Sequence, residues 1–69
     1  MLKGEVTYIS NFKEGYFTLD CEGKEYKCRT SAEDWDKIYE YLSKPIRVAI
    51  INKLFKPEIM DWVYTVAIV

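Results

Sequence analysis

The chain has 69 residues, 49% hydrophobic and 30% charged, with ten basic and eleven acidic side chains, two cysteines and no histidine. That length holds a single domain, residues 1–69, and the composition belongs to a folded globule rather than to a disordered chain. Without histidine, Ser-His-Asp and Cys-His nucleophile systems, His-liganded zinc and imidazole acid/base catalysis are excluded, so the expectation is a non-enzymatic protein with no metal and no cofactor.

Residues 2–10 form a strand-like run carrying Val6, Thr7, Tyr8 and Ile9, and the cluster Asn11, Phe12, Lys13, Glu14 and Gly15 closes it as a turn. Residues 16–21 then alternate, with Phe17, Leu19 and Cys21 on one face and Tyr16, Thr18 and Asp20 on the other. Glu22-Gly23 interrupts, and residues 24–29 resume the alternation with Tyr26 and Cys28 apolar. An even loop sets Leu19 opposite Tyr26 and Phe17 opposite Cys28, whereas a one-residue slip would set them against Glu25 and Lys27. Glutamate disfavours the positive φ of a two-residue type I′ turn, so a four-residue loop in the same register is expected. In that register Cys21 and Cys28 are about 13 Å apart along the strands, beyond the reach of a disulfide, and both read as free, buried thiols.

Thr30, Ser31, Ala32 and Glu33 fit a capping box with Thr30 as the cap, and Asp34 and Asp36 add negative charge where the helix dipole favours it. Trp35, Ile38, Tyr39 and Leu42 make one apolar stripe on a helix of about three turns that ends before Pro45. Residues 46–51 and 62–69 are apolar at nearly every position and β-branched, which predicts two more strands. Between them residues 52–61, with Lys53, Phe55, Lys56 and Pro57, read as a long loop. The N-terminus has no apolar leader region, and the run 62–69 is far shorter than the ~20 residues of a membrane span. A soluble, cytoplasmic protein with no membrane partner is expected.

Three strands, one helix and two strands resemble the layout of the OB-fold, a five-stranded Greek-key barrel. The resemblance covers the whole chain and extends to Gly4-Glu5-Val6 opening the first strand, to residues 17–24 around the second turn, and to residues 42–48 leading from helix to fourth strand. At this level the chain is similar to S1-type RNA-binding domains and to the barrel of bacterial translation initiation factor one. In those barrels the last strand and its flanks are basic, whereas residues 61–69 here contain no lysine or arginine. An open α+β sheet with the helix on one face and an SH3-like barrel are the alternative architectures for the same element order.

The resemblance implies a ligand surface on the outer face of the second and third strands and the adjoining loops, which maps to Phe12, Lys13, Tyr16, Lys27, Arg29, Lys53, Phe55 and Lys56. Rings interleaved with cations suit single-stranded DNA or RNA, whose bases stack and whose phosphates pair with ammonium or guanidinium groups. A second class of function is a protein-interaction module acting as homodimer, inhibitor or adaptor. It would use the acidic helix face, net −2 over residues 30–44 against +1 elsewhere, or the last strand through Trp62, Tyr64, Val66 and Ile68.

Overall fold

A computed structural model of the chain describes residues 1–11, 13 and 15–69. Strands β1 (Leu2–Ile9), β2 (Phe17–Cys21) and β3 (Lys24–Arg29) precede helix α1 (Ala32–Ile38), a 3₁₀ turn (Tyr39–Tyr41), and strands β4 (Ile46–Lys56) and β5 (Asp61–Ile68). The sheet closes in the order β1-β2-β3-β5-β4, with β1 hydrogen-bonded to both β2 and β4. All neighbours are antiparallel except β3 and β5, which run parallel. The protein is therefore a mainly β, five-stranded closed barrel of OB-like layout, and closure removes the open-sheet alternative.

The β2–β3 register pairs Phe17 with Cys28 and Leu19 with Tyr26, as the alternation requires. The loop differs from the expectation. Cys21 pairs directly with Lys24, and Glu22 and Gly23 make a two-residue turn with φ of 54° and 87°. Asp20 Oδ1 accepts a 2.9 Å hydrogen bond from the Gly23 amide and holds the turn, which offsets the unfavourable backbone of Glu22. Both thiols are free; Cys28 is buried, and Cys21 is half-buried rather than fully covered.

Phe17, Leu19, Val48, Ile38, Ile46 and Val66 lie at the centre of the core with Val6 and Trp35. A shift in pairing between Val6 and Tyr8 bends β1 and turns Tyr8 out to solvent. Gly4 has a steric role: a Cβ there would collide with the Asp20 carbonyl and lie 2.8 Å from Cys21 Sγ.

The helix starts one residue later than the capping box suggested. Ser31 is the cap, accepting from the Asp34 amide at 3.2 Å, while the Thr30 hydroxyl donates to the Val66 carbonyl at 3.0 Å. Trp35 and Ile38 plug the barrel, but Tyr39 and Leu42 are exposed because the helix tightens to 3₁₀ after Ile38 and the stripe no longer follows a 3.6-residue period.

The predicted loop at residues 52–61 is instead a hairpin. Strand β4 continues to Lys56, a turn spans residues 57–60, and Phe55 pairs with Trp62 and Lys56 with Asp61. Strand β1 pairs with β4 only over Ile46, Arg47 and Val48, and β3 pairs with β5 only over Val63, Tyr64 and Thr65. Beyond Val48, β4 has β5 alone beside it, and past the β3 pairing the two strands end in an arm of two bare pairs, Phe55–Trp62 and Lys56–Asp61, closed by the turn at 57–60.

Candidate nucleic-acid interface

The junction between barrel and arm forms a groove of about 290 Å³. Tyr16 and Arg29 line it from the barrel, Lys56, Glu58 and Ile59 from the arm, and Val63 forms its floor. Local structure fixes each contributor. Ser10 is buried and clips the end of β1 to the start of β2: its amide donates to the Tyr16 carbonyl at 2.9 Å and its hydroxyl accepts from the Tyr16 amide at 3.0 Å. Tyr16 is thus held at the rim, where its ring meets that of Tyr8 with centroids 6.0 Å apart. Arg29 extends from the last residue of β3, opposite Thr65 of β5, and is exposed. A smaller hollow of about 180 Å³ shares Gly15 and Arg29 and continues the groove toward the start of α1.

The cations expected at the site are distributed unevenly. Lys27 lies beside the groove, its Nζ 3.2 Å from Asp61 Oδ2. The Trp62 amide and Lys27 both donate to Asp61, in that order of effect, and hold its carboxyl below the usual carboxylate range. Lys53 lies 5.0 Å above the Trp62 ring, and Phe55 meets the same ring edge-on at 5.4 Å. Phe55 and Lys53 lie on one face of the β4–β5 hairpin with their cross-strand partners Trp62 and Tyr64, and Lys56 lies on the other with Asp61. The structure therefore brings Tyr16, Arg29 and Lys56 together, sets Lys27 beside them in an ion pair, and separates Lys53 and Phe55 into a second cluster. Lys13 is exposed, and Phe12 lies outside the described residues.

In the last strand, Val66 is 2% exposed and belongs to the core, while Tyr64 and Ile68 are half-buried against it. The face expected to be sticky turns inward beyond the arm, which leaves Trp62 as its exposed member. Glu33, Asp36 and Glu40 of the helical segment are exposed as expected of a solvated acidic face.

Tyr8, Glu58 and Ile59 were not legible as site residues. Tyr8 reaches the surface through the irregularity in β1, and the other two depend on the fold of the hairpin turn. A more open hollow of about 380 Å³ lies between Lys3, Glu5, Asp20 and Glu22, where three carboxylates against one ammonium disfavour an anionic ligand. Burial pushes the Cys28 thiol up to about 12, and burial followed by the charges of Asp20 and Glu22 raises that of Cys21, so neither thiol is activated as a nucleophile. Among the described residues no cluster of His, Cys, Asp and Glu is arranged to hold a metal ion, and no helix is long and apolar enough to cross a membrane.

No family model, no curated protein and no solved structure matches this chain.

Proposed function

We propose that this protein is a binding module for short single-stranded nucleic acid, which it holds in the groove between barrel and arm without performing chemistry on it. The observation that carries this reading is the convergence of one ring, Tyr16, and two cations, Arg29 and Lys56, on a single hollow. A base stacked on Tyr16 gains about 1–3 kcal/mol, and the flanking phosphates meet the guanidinium and ammonium groups. Glu58 at the rim and the acidic helix face weaken the field that would draw in a polyanion, so the affinity is low and highest at low salt. The similarity of layout to S1-type RNA-binding domains and to bacterial translation initiation factor one supports the reading. A reducing compartment such as the cytoplasm suits its two free thiols.

Fluorescence anisotropy of labelled RNA and DNA oligonucleotides at low salt tests it. Binding should weaken roughly tenfold in Arg29→Ala and again in Lys56→Ala, and the log–log salt slope should lie near −1.4 for about two phosphate contacts at about 0.7 per contact on a single strand. No anisotropy change with either nucleic acid, or binding indifferent to both substitutions, would overturn it.

A second reading, association with another polypeptide, is favoured by one observation. Ile51, Leu54, Met60 and Trp62 on the β4–β5 hairpin are large, apolar and exposed.

A further inference from the structure

We infer that the binding unit of this protein is a dinucleotide, with one nucleoside in the groove, the next in the hollow beside the start of α1, and the phosphodiester between them on Arg29. The inference rests on the nucleic-acid reading and deepens it by stating how much of a strand the site takes.

Two hollows meet at one guanidinium. Among the described residues, the groove of about 290 Å³ and the hollow of about 180 Å³ have Gly15 and Arg29 in common and no other lining residue. Gly15 has a φ of 72°, a left-handed backbone that glycine adopts without strain, and it brings no side chain to divide the two spaces. Arg29 is therefore the side chain that stands at their boundary. Its guanidinium makes no ion pair or hydrogen bond among the described residues, so its N–H donors are open to a ligand.

The chemistry on the two sides of Arg29 differs in the way a strand requires. The groove carries the Tyr16 ring, an apolar floor at Val63 and a second cation, Lys56, on the arm. The smaller hollow adds Thr30, Ala32 and Trp35, so among the described residues Arg29 is its only ionic group, and it suits a neutral occupant. Ammonium, groove, guanidinium and hollow thus follow one another as phosphate, nucleoside, phosphate and nucleoside do along a strand. A guanidinium meets a phosphate through two parallel N–H donors, which fixes the orientation of the linkage as well as its position.

Size and charge limit the unit to two. The groove falls at the low end of the ~300–1,000 Å³ of pockets that enclose a small molecule, room for one nucleoside, and the hollow is smaller still. Beyond the hollow, the first turn of α1 carries Glu33 and Asp34, which repel a third phosphate.

Titration of the full chain carrying Trp62→Phe with 5′-phosphorylated adenylates of one to four nucleotides, at low salt, tests this. Trp35 is then the only indole, and it lines the smaller hollow. Affinity should rise roughly tenfold from mononucleotide to dinucleotide, the contribution of one further base, and by less than about threefold from there to the tetranucleotide. Trp35 emission should change with the dinucleotide and stay constant at saturating mononucleotide. Ala32→Leu in the same background places a larger side chain at the hollow at little cost in helix propensity, and should bring the dinucleotide down to the affinity of the mononucleotide with an unchanged far-UV circular dichroism spectrum. Equal affinity for mononucleotide and dinucleotide overturns the inference and leaves the nucleic-acid reading standing. So does an equal gain with each added nucleotide, a dinucleotide that leaves Trp35 emission constant, or an Ala32→Leu chain that binds the dinucleotide as tightly as its parent. Binding by no member of the series overturns both.

Discussion

Strands β4 and β5 behave in opposite ways on the two sides of the irregularity at Ile51. Toward the barrel, Val48 and Val66 are 0% and 2% exposed; toward the arm, Leu54 and Trp62 are 57% and 43% exposed. Side-chain chemistry does not separate the two halves, since all four residues are large and apolar. What differs is the neighbours. Val48 has β1 on one side and β5 on the other and faces an opposite wall some side-chain lengths away. In contrast, β4 beyond Val48 has β5 alone beside it, and only Phe55–Lys56 and Asp61–Trp62 stand as a bare pair of strands, while Val63, still paired with β3, stays 7% exposed. Burial here is a property of closure, and apolar sequence outside the closed wall becomes surface available for binding. The groove lies where these two regimes meet, with a ring and a guanidinium supplied by the rigid barrel and an ammonium supplied by the arm.

The contrast is sharpest in the core. Phe17→Ala removes a ring that is fully buried and should cost about 3–5 kcal/mol, enough to unfold much of a domain this small, while Leu54→Ala beside the arm should stay within about 0.5 kcal/mol. Urea titration of the two variants measures both, and a Leu54→Ala loss comparable to that of Phe17→Ala would erase the distinction between barrel and arm. Gly4→Ala comes next. The added methyl meets the backbone of β2 rather than a flexible side chain, and a loss of about 1–3 kcal/mol is expected by the same titration.

Alkaline pH probes the barrel through one group. The Cys28 thiol ionises near 8.5 in an unfolded chain and is held up to about 12 by burial. A folded-state value raised in this way contributes stability that is fully present below about 8.5 and is lost as pH rises from there toward 12. Melting temperature should fall across that window in the wild type, and Cys28→Ala, although less stable at pH 7, should fall with a shallower slope. Equal slopes would show that burial of this thiol contributes nothing to the pH response.

Smaller effects separate the devices at the edges. Thr30→Val removes the hydroxyl that closes the β5 edge, and Ser31→Ala removes the helix cap; each should cost about 1 kcal/mol by thermal denaturation. Lys27→Ala breaks an ion pair that is largely solvated at the base of the arm, and the expected change is within about 1 kcal/mol. A larger loss would mean that the arm is braced against β3 by this pair rather than by its own cross-strand contacts.

The strands of the barrel were legible because one of their faces is dry. Phe17, Leu19 and Cys28 alternate with polar residues, and only one register buries them together. Residues 52–56 carry the converse pattern: Asn52, Lys53, Leu54, Phe55 and Lys56 show no two-residue period because their own side chains on both faces of β4 reach solvent, and their order comes from pairing with residues 61–65. Tyr39 and Leu42 fit a helical stripe whose last turn the chain does not wind as an α-helix. At the site, Tyr16, Arg29 and Lys56 were identifiable from the layout. Their separation from Lys53 and Phe55 depends on which face of β4 each occupies, and that required the hairpin.

The most direct measurement is amide chemical-shift mapping while a short single-stranded oligonucleotide is titrated at low salt. Shifts should concentrate at Gly15, Tyr16, Arg29, Lys56 and Ile59, where barrel and arm meet, and should be absent around Asp20 and Glu22. An unchanged spectrum, or shifts centred away from that junction, would contradict the groove as the binding site.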